Sequence, residues 1–227
     1  MQPITQYLQK RKYELLLLAL IQHLFVGIVI RDLEVYTKIV WPINMLILGI
    51  ASIGVFIEAG KWKNRIRMIL FVIVLALPLS FTFFGHLPYF MDLVSLIYAA
   101  YFMFIFWEII RFLIRPSYIN IDIISASGCG FFLLIEITVF VLQAMFYNNP
   151  DSISGIDSSS PAATYIDLVY LSSIIQTTIG FGDITPNAPN TKLVASLFGI
   201  IGQFYTVVLV GILLSKFNSR NKNNARR

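Results

Sequence analysis

Charge is what this sequence has least of. Only 13% of its 227 residues are Asp, Glu, Lys or Arg, while 57% are hydrophobic. An ordinary soluble domain carries about 25% charged residues, so this composition argues against a solvated globular protein and points to a bilayer. Cysteine is nearly absent as well. Cys129, the single one, lies inside an apolar run, so no intrachain disulfide can form and the redox compartment cannot be read from it. The first apolar run is not a cleavable secretory signal, because Gln22 and His23 interrupt it and no small-residue cleavage site follows cleanly.

What is present is a series of apolar runs at 15–30, 39–57, 68–84, 93–114, 123–147 and 193–217. A spanning helix needs about 17–25 residues, and the first and third runs must borrow flanking residues to reach that. The expectation is an all-α membrane protein with six transmembrane helices. Basic residues support it. With the N-terminus in the cytoplasm, all of the 17 Lys and Arg except Arg31, Lys38 and Lys192 fall on inner segments, as the positive-inside rule requires. Both termini are then cytoplasmic and the chain sits in the cell membrane. The net charge of +5 is explained by topology and needs no nucleic-acid partner.

One segment does not span. "NNPDSISGIDSSSP" at 148–161 is rich in turn formers and reads as a solvated outer loop. "AATYIDLVYLSSIIQ" at 162–176 is apolar enough to be buried and too short to cross. Pro161 and Asp167 suit a helix start. The chain must be outside again by Lys192, so this helix dips in and returns. The "TTIGFGD" that follows, 177–183, is then irregular backbone at membrane depth, which survives only when buried in protein or lining water. A dehydrated cation needs a ring of oxygens, and backbone carbonyls supply them without net charge. Pointing successive carbonyls at one axis requires left-handed dihedrals at alternate residues, which glycine tolerates; Gly180 and Gly182 alternate in this way.

Thr-Thr-Ile-Gly-Phe-Gly-Asp resembles the selectivity filter of potassium channels. The resemblance covers 123–217 as outer helix, pore helix, filter and inner helix. It implies that potassium ions are bound by Thr178, Ile179, Gly180 and Phe181. It further implies filter support from Thr177, Gly182, Asp183 and Tyr170, and a fourfold-symmetric homotetramer in the lipid bilayer. Phe181 stands where the family usually has tyrosine, and the pore helix lacks tryptophan at Tyr170 and Leu171, so a Tyr170–Asp183 hydrogen bond is the expected brace. On the inner helix Gly202 falls at the family's hinge glycine, with close helix packing as the alternative role. Gln203, Thr206, Val210 and Leu214 would turn toward the axis as cavity and gate.

The resemblance divides the chain into a four-helix voltage-sensor-like domain (1–118), a pore domain (119–217) and a short basic cytoplasmic tail (218–227). Yet "LVSLIYAAYFMFIFWEIIRFLIR", 93–115, has no basic residue before Arg111 and Arg115. One charge crossing the field is worth about 2.3 kcal/mol per 100 mV, so two at the edge give little voltage dependence. Glu136 in mid-helix is a candidate site by default, with a buried hydrogen bond to a neighbouring helix or to a pore-helix serine as the preferred reading. Gln22, His23 and Asn44 are expected to bond between helices. Among rival readings, a nonselective cation channel is the runner-up. An intramembrane hydrolase built on Ser127 with His23 or His86 lacks a nucleophile motif, so the chain is expected not to be an enzyme. A single pore loop excludes a two-loop dimer.

Overall fold

The computed structural model describes residues 11–30, 32–56, 61–84, 89–114 and 121–224, with side chains in the last helix as far as Ile212. Each apolar run is helical. The helices are α1 (Lys12–Phe25), α2 (Leu33–Phe56), α3 (Lys61–Phe84), α4 (Phe90–Leu113), α5 (Ile121–Asn148), the short α6 (Pro161–Gln176) and α7 (Pro189–Asn224). Among the described residues, four of them, α2, α4, α5 and the 189–212 part of α7, are long and apolar enough to cross a membrane. The first run differs from expectation at both ends. Its helix starts at Lys12 and tightens into a 3₁₀ turn at Val26–Ile28. α2 begins earlier than its run, because the Asp32 carboxylate caps it by accepting from the amides of Glu34 and Val35. The boundary at 118/119, together with Arg31, His86 and Arg115, lies outside the described residues.

α5 is the hub. It packs against α1, α4, α6 and α7, and every side chain from 133 to 140 is buried, as befits a helix apolar on all sides. In its apolar window 78% of residues are buried, against 17% in that of α7; one chain therefore covers α5 and leaves α7 open. The face left open is a stripe, Leu193, Leu197, Ile200, Phe204 and Val207, each more than half exposed, at alternating four- and three-residue spacing. The other face of α7 is closed by Thr191, Ala195 and Phe198. One continuous core runs from Tyr13 of α1 to Phe198 of α7, so the four N-terminal helices and the pore-like segment share their packing.

Several polar residues are paired across helices. Gln22 Nε2 donates to Asn44 Oδ1 at 3.1 Å, joining α1 to α2. His23 Nδ1 lies 2.6 Å from Glu136 Oε1, and since a carboxylate only accepts, the ring nitrogen donates. Tyr165 of α6 adds its hydroxyl, 3.1 Å from His23 Nδ1 and 3.5 Å from Glu136 Oε2. Glu136 is thus bonded to a neighbouring helix, as expected, through histidine and tyrosine rather than a serine. His23 and Glu136 are 1% and 0% exposed. Around them stand Trp41, Tyr98, Phe102 and Phe140; Trp41 meets Tyr165 edge-on at 4.5 Å, and Phe102 stacks on Phe140 at 5.5 Å. α4 therefore meets α5 through aromatic rings, and Arg111 is exposed near its C-terminal end.

Removing one member of a buried hydrogen-bonded pair leaves the other's polar group unsatisfied and costs roughly 1–3 kcal/mol. His23→Ala is expected to lower the melting temperature of the purified protein strongly. A His23→Phe/Glu136→Leu double variant should lose less than the sum of its two single changes. Additive losses in a thermal melt would show that the two side chains do not interact.

Candidate functional site

α6 is started by its own sequence. Ser160 Oγ accepts from the Ala163 amide at 3.1 Å and Pro161 takes the first helical position. Asp167 Oδ2 accepts from the Asp157 amide at 2.7 Å, tying the preceding loop to the helix. The other end decides the site. A helix end leaves its last carbonyls without partners, and here the chain folds back to fill them. The Thr177 amide donates to Ser173 O at 3.0 Å and that of Thr178 to Ile175 O at 3.1 Å. Those of Ile179 and Gly180 share Ile174 O, at 2.9 and 3.3 Å.

With the amides of residues 177–180 turned to the helix, the carbonyls of Thr178, Ile179, Gly180 and Phe181 meet no protein donor among the described residues. Backbone carbonyls do not stay unpaired away from water; these four are free to accept from water or to coordinate a cation. The dihedrals alternate, with φ of 60° at Thr178, 55° at Gly180 and 82° at Gly182. The glycines take such angles without cost. A β-branched threonine there is strained by about 1–2 kcal/mol, and the amide bonds on either side of it hold it in place. All residues from Thr177 to Asp183 are exposed in the single chain.

The outer loop was expected to be wholly solvated, and the structure corrects this: Ser152 and Ile153 are buried. β1 (Ile153–Ser154) pairs antiparallel with β2 (Thr185–Pro186), Ile153 opposite Pro186 and Ser154 opposite Thr185. Ser152 O also accepts from the amides of Asn187 and Ala188, at 2.8 and 3.2 Å. The chain leaving "TTIGFGD" needs backbone partners, and the loop supplies them. Gly155 comes so close that an added Cβ would stand 2.5 Å from the Asp183 carbonyl.

The Tyr170 hydroxyl lies 2.9 and 2.8 Å from the two oxygens of Asp183, and the Tyr170 ring lies parallel to that of Phe181, centroids 6.4 Å apart. The hydroxyl holds the Asp183 carboxyl below its ordinary value. Gly202 is buried against α6: an added Cβ would overlap Gln176 Oε1. Gln176 Nε2 donates to Thr138 Oγ1 at 3.0 Å, and Gln203 Nε2 reaches Gln176 O at 3.4 Å. This favours close packing as the role of Gly202. Gln203, Thr206 and Val210 are exposed, with Thr206 Oγ1 donating to Gly202 O at 3.0 Å. The Leu214 side chain lies outside the described residues.

A comparison with known proteins fits this geometry, for residues 130–219 match the ion channel family. That stretch is similar to ion-channel domains. Over 85 residues the chain is 36% identical to "Two-pore potassium channel 1" of Arabidopsis thaliana, covering 37% of this chain and 21% of that protein. Over 88 residues it is 35% identical to "Shaker-related potassium channel tsha2" of Oncorhynchus mykiss, covering 39% of this chain and 17% of the relative. The chain thus spans about a fifth of the length of the curated relatives it matches. No solved structure matches it. These relatives are channels and not enzymes, and the geometry agrees. Ser127 Oγ donates into its own helix at Ile123 O, 2.7 Å away, and His23 is engaged with Glu136.

In the matched stretch, Gln176 and Tyr165 are the functional candidates that reading the sequence missed. Gln176 carried a signal: it is a polar residue closing an apolar helix, next to the filter-like string. Tyr165 carried none, since a tyrosine in an apolar helix is ordinary.

Gly202→Ala is expected to destabilise the domain by about 1–3 kcal/mol through overpacking, and Gln176→Ala in the same chain should recover part of the loss, read by thermal melting. Asp183 gives a pH prediction. Its carboxyl is held low, so the Tyr170 bond is intact above the ordinary aspartate value, about 3.9. It is lost as pH falls through the lowered value. In Tyr170→Phe the Asp183 carbon-13 carboxyl signal should titrate at a higher pH than in wild type; an unchanged midpoint would discount the bond.

Proposed function

We propose that this chain is a potassium-selective channel that conducts passively through the carbonyls of Thr178, Ile179, Gly180 and Phe181. The observation that carries the reading is the set of four consecutive carbonyls, Thr178 to Phe181, left without donors among the described residues while the amides of residues 177–180 are bonded to α6. Such a row replaces the hydration shell of a cation when four loops face one axis. One chain supplies one loop, so the assembly is a homotetramer. The exposure of 177–183 and the open stripe of α7 support it, since partner copies would cover both. The relatives named above are potassium channels, which supports potassium as the permeant ion.

Six helices then cross the cell membrane with both termini in the cytoplasm, α1 and α3 completing the four membrane-length ones. Tyr170, Asp183, Thr177 and Gly182 support the filter; Gln203 and Thr206 wet the cavity below it, and Val210 with Leu214 narrows the inner end. The aromatic contact face of α4 and the edge position of Arg111 support weak or absent voltage dependence.

Purified protein in planar bilayers, with potassium on one side and sodium on the other, tests this. The current is expected to reverse near the potassium equilibrium potential. Open probability should change by less than the roughly fiftyfold per 100 mV that one charge crossing the whole field would give. A reversal near zero would make the channel nonselective.

A further inference from the structure

Away from the filter, a cavity of about 1360 Å³ opens between the N-terminal ends of α2 and α4, the C-terminal part of α5 and the start of α6. Small-molecule sites occupy about 300–1,000 Å³, so this one is large enough for a lipid. Its wall is graded. At the rim Glu34 and Lys38 form an exposed pair one helical turn apart. Deeper, on α5, Gln143 lines the cavity; it is 4% exposed, and its Oε1 has no partner among the described residues. The remaining surface is chiefly apolar, with Leu77, Phe90 and Val94 from α3 and α4.

We propose that this cavity binds a zwitterionic phospholipid. The headgroup ammonium lies between Glu34 and Gln143 Oε1, the phosphate lies at Lys38, and an acyl chain runs along Leu77, Phe90 and Val94. The charges fit: the Lys38 ammonium meets the phosphate and the Glu34 carboxylate meets the headgroup ammonium. The two side chains now pair with each other at the surface, where such pairs are weak and readily exchanged. Gln143 is the second, independent sign. A buried amide oxygen without a donor is costly, and the primary ammonium of an ethanolamine headgroup can donate to it. The levels agree as well. Gln143 lies five residues from the end of α5, so the polar groups sit at the end of the helices that the topology places outside, and the apolar wall extends inward.

Native mass spectrometry of the full-length protein, purified in mild detergent and titrated with dioleoyl phosphatidylethanolamine, tests this without reference to conduction. Failure here therefore leaves the channel reading untouched, and the reverse also holds. Wild type is expected to retain one lipid per chain, more firmly than dioleoyl phosphatidylglycerol. Val94→Trp, which fills the cavity, should lower retention at least tenfold, and Gln143→Leu or Lys38→Glu about threefold each. Leu96→Trp, on the exposed side of α4, should leave it unchanged. Thermal melting of each variant separates lost binding from lost folding, and Lys38→Glu, at an exposed position, keeps the test alive if Val94→Trp does not fold. Equal retention by wild type, Val94→Trp and Lys38→Glu would overturn the site. Preference for phosphatidylglycerol would overturn the zwitterionic assignment. Loss of the oligomer in Val94→Trp, with no lipid on wild type, would assign the cavity to a second copy of the chain.

Discussion

The bonds from the amides of residues 177–180 to the last carbonyls of α6 are what the rest of the site depends on. A helix that ends away from water leaves orphan carbonyls, and an irregular strand leaves orphan amides. Here each cancels the other. Once the amides of 177–180 are committed to the helix, the carbonyls of 178–181 are left without donors among the described residues, in a stretch whose left-handed residues alternate at 178, 180 and 182.

Everything around this turn keeps it in place. Gln176, at the junction, reaches Thr138 on α5 and fills the notch at Gly202 on α7, so α5, α7 and the start of the 177–183 turn meet at one side chain. At the exit, the β1–β2 pair and the Tyr170–Asp183 bond do the same work. The clamp extends into the N-terminal helices. His23, Glu136 and Tyr165 join α1, α5 and α6 within a wall of aromatic rings, so α6 is braced by α1. In low dielectric a buried polar network of this kind is costly to break, which ties α1 to the segment that carries residues 177–183. The aromatic contact of the N-terminal helices with α5 serves packing.

Much of the architecture was legible in the order of residues. Apolar runs separated by basic clusters gave the helices and their approximate ends, and Pro161 gave the start of α6. The paired glycines and the length of 162–176 pointed to a turn of unusual backbone between two long helices. Tyr170 and Asp183, thirteen residues apart, could be paired because α6 and the strand after it are nearly continuous in sequence. The outer loop was misread as solvated because turn formers signal conformation. They do not say whether a segment finds a partner strand thirty residues later.

By itself the sequence determined the helices, the place of the irregular turn and the residue types at the candidate filter, because these follow from local hydrophobicity and backbone permissiveness. Tertiary structure alone decided that His23 meets Glu136, 113 residues away, that Gln176 needs Gly202, and that Gln143 faces a cavity. Such pairings depend on how helix faces are rotated and stacked, and periodicity leaves that rotation open when a helix such as α5 is apolar on every side.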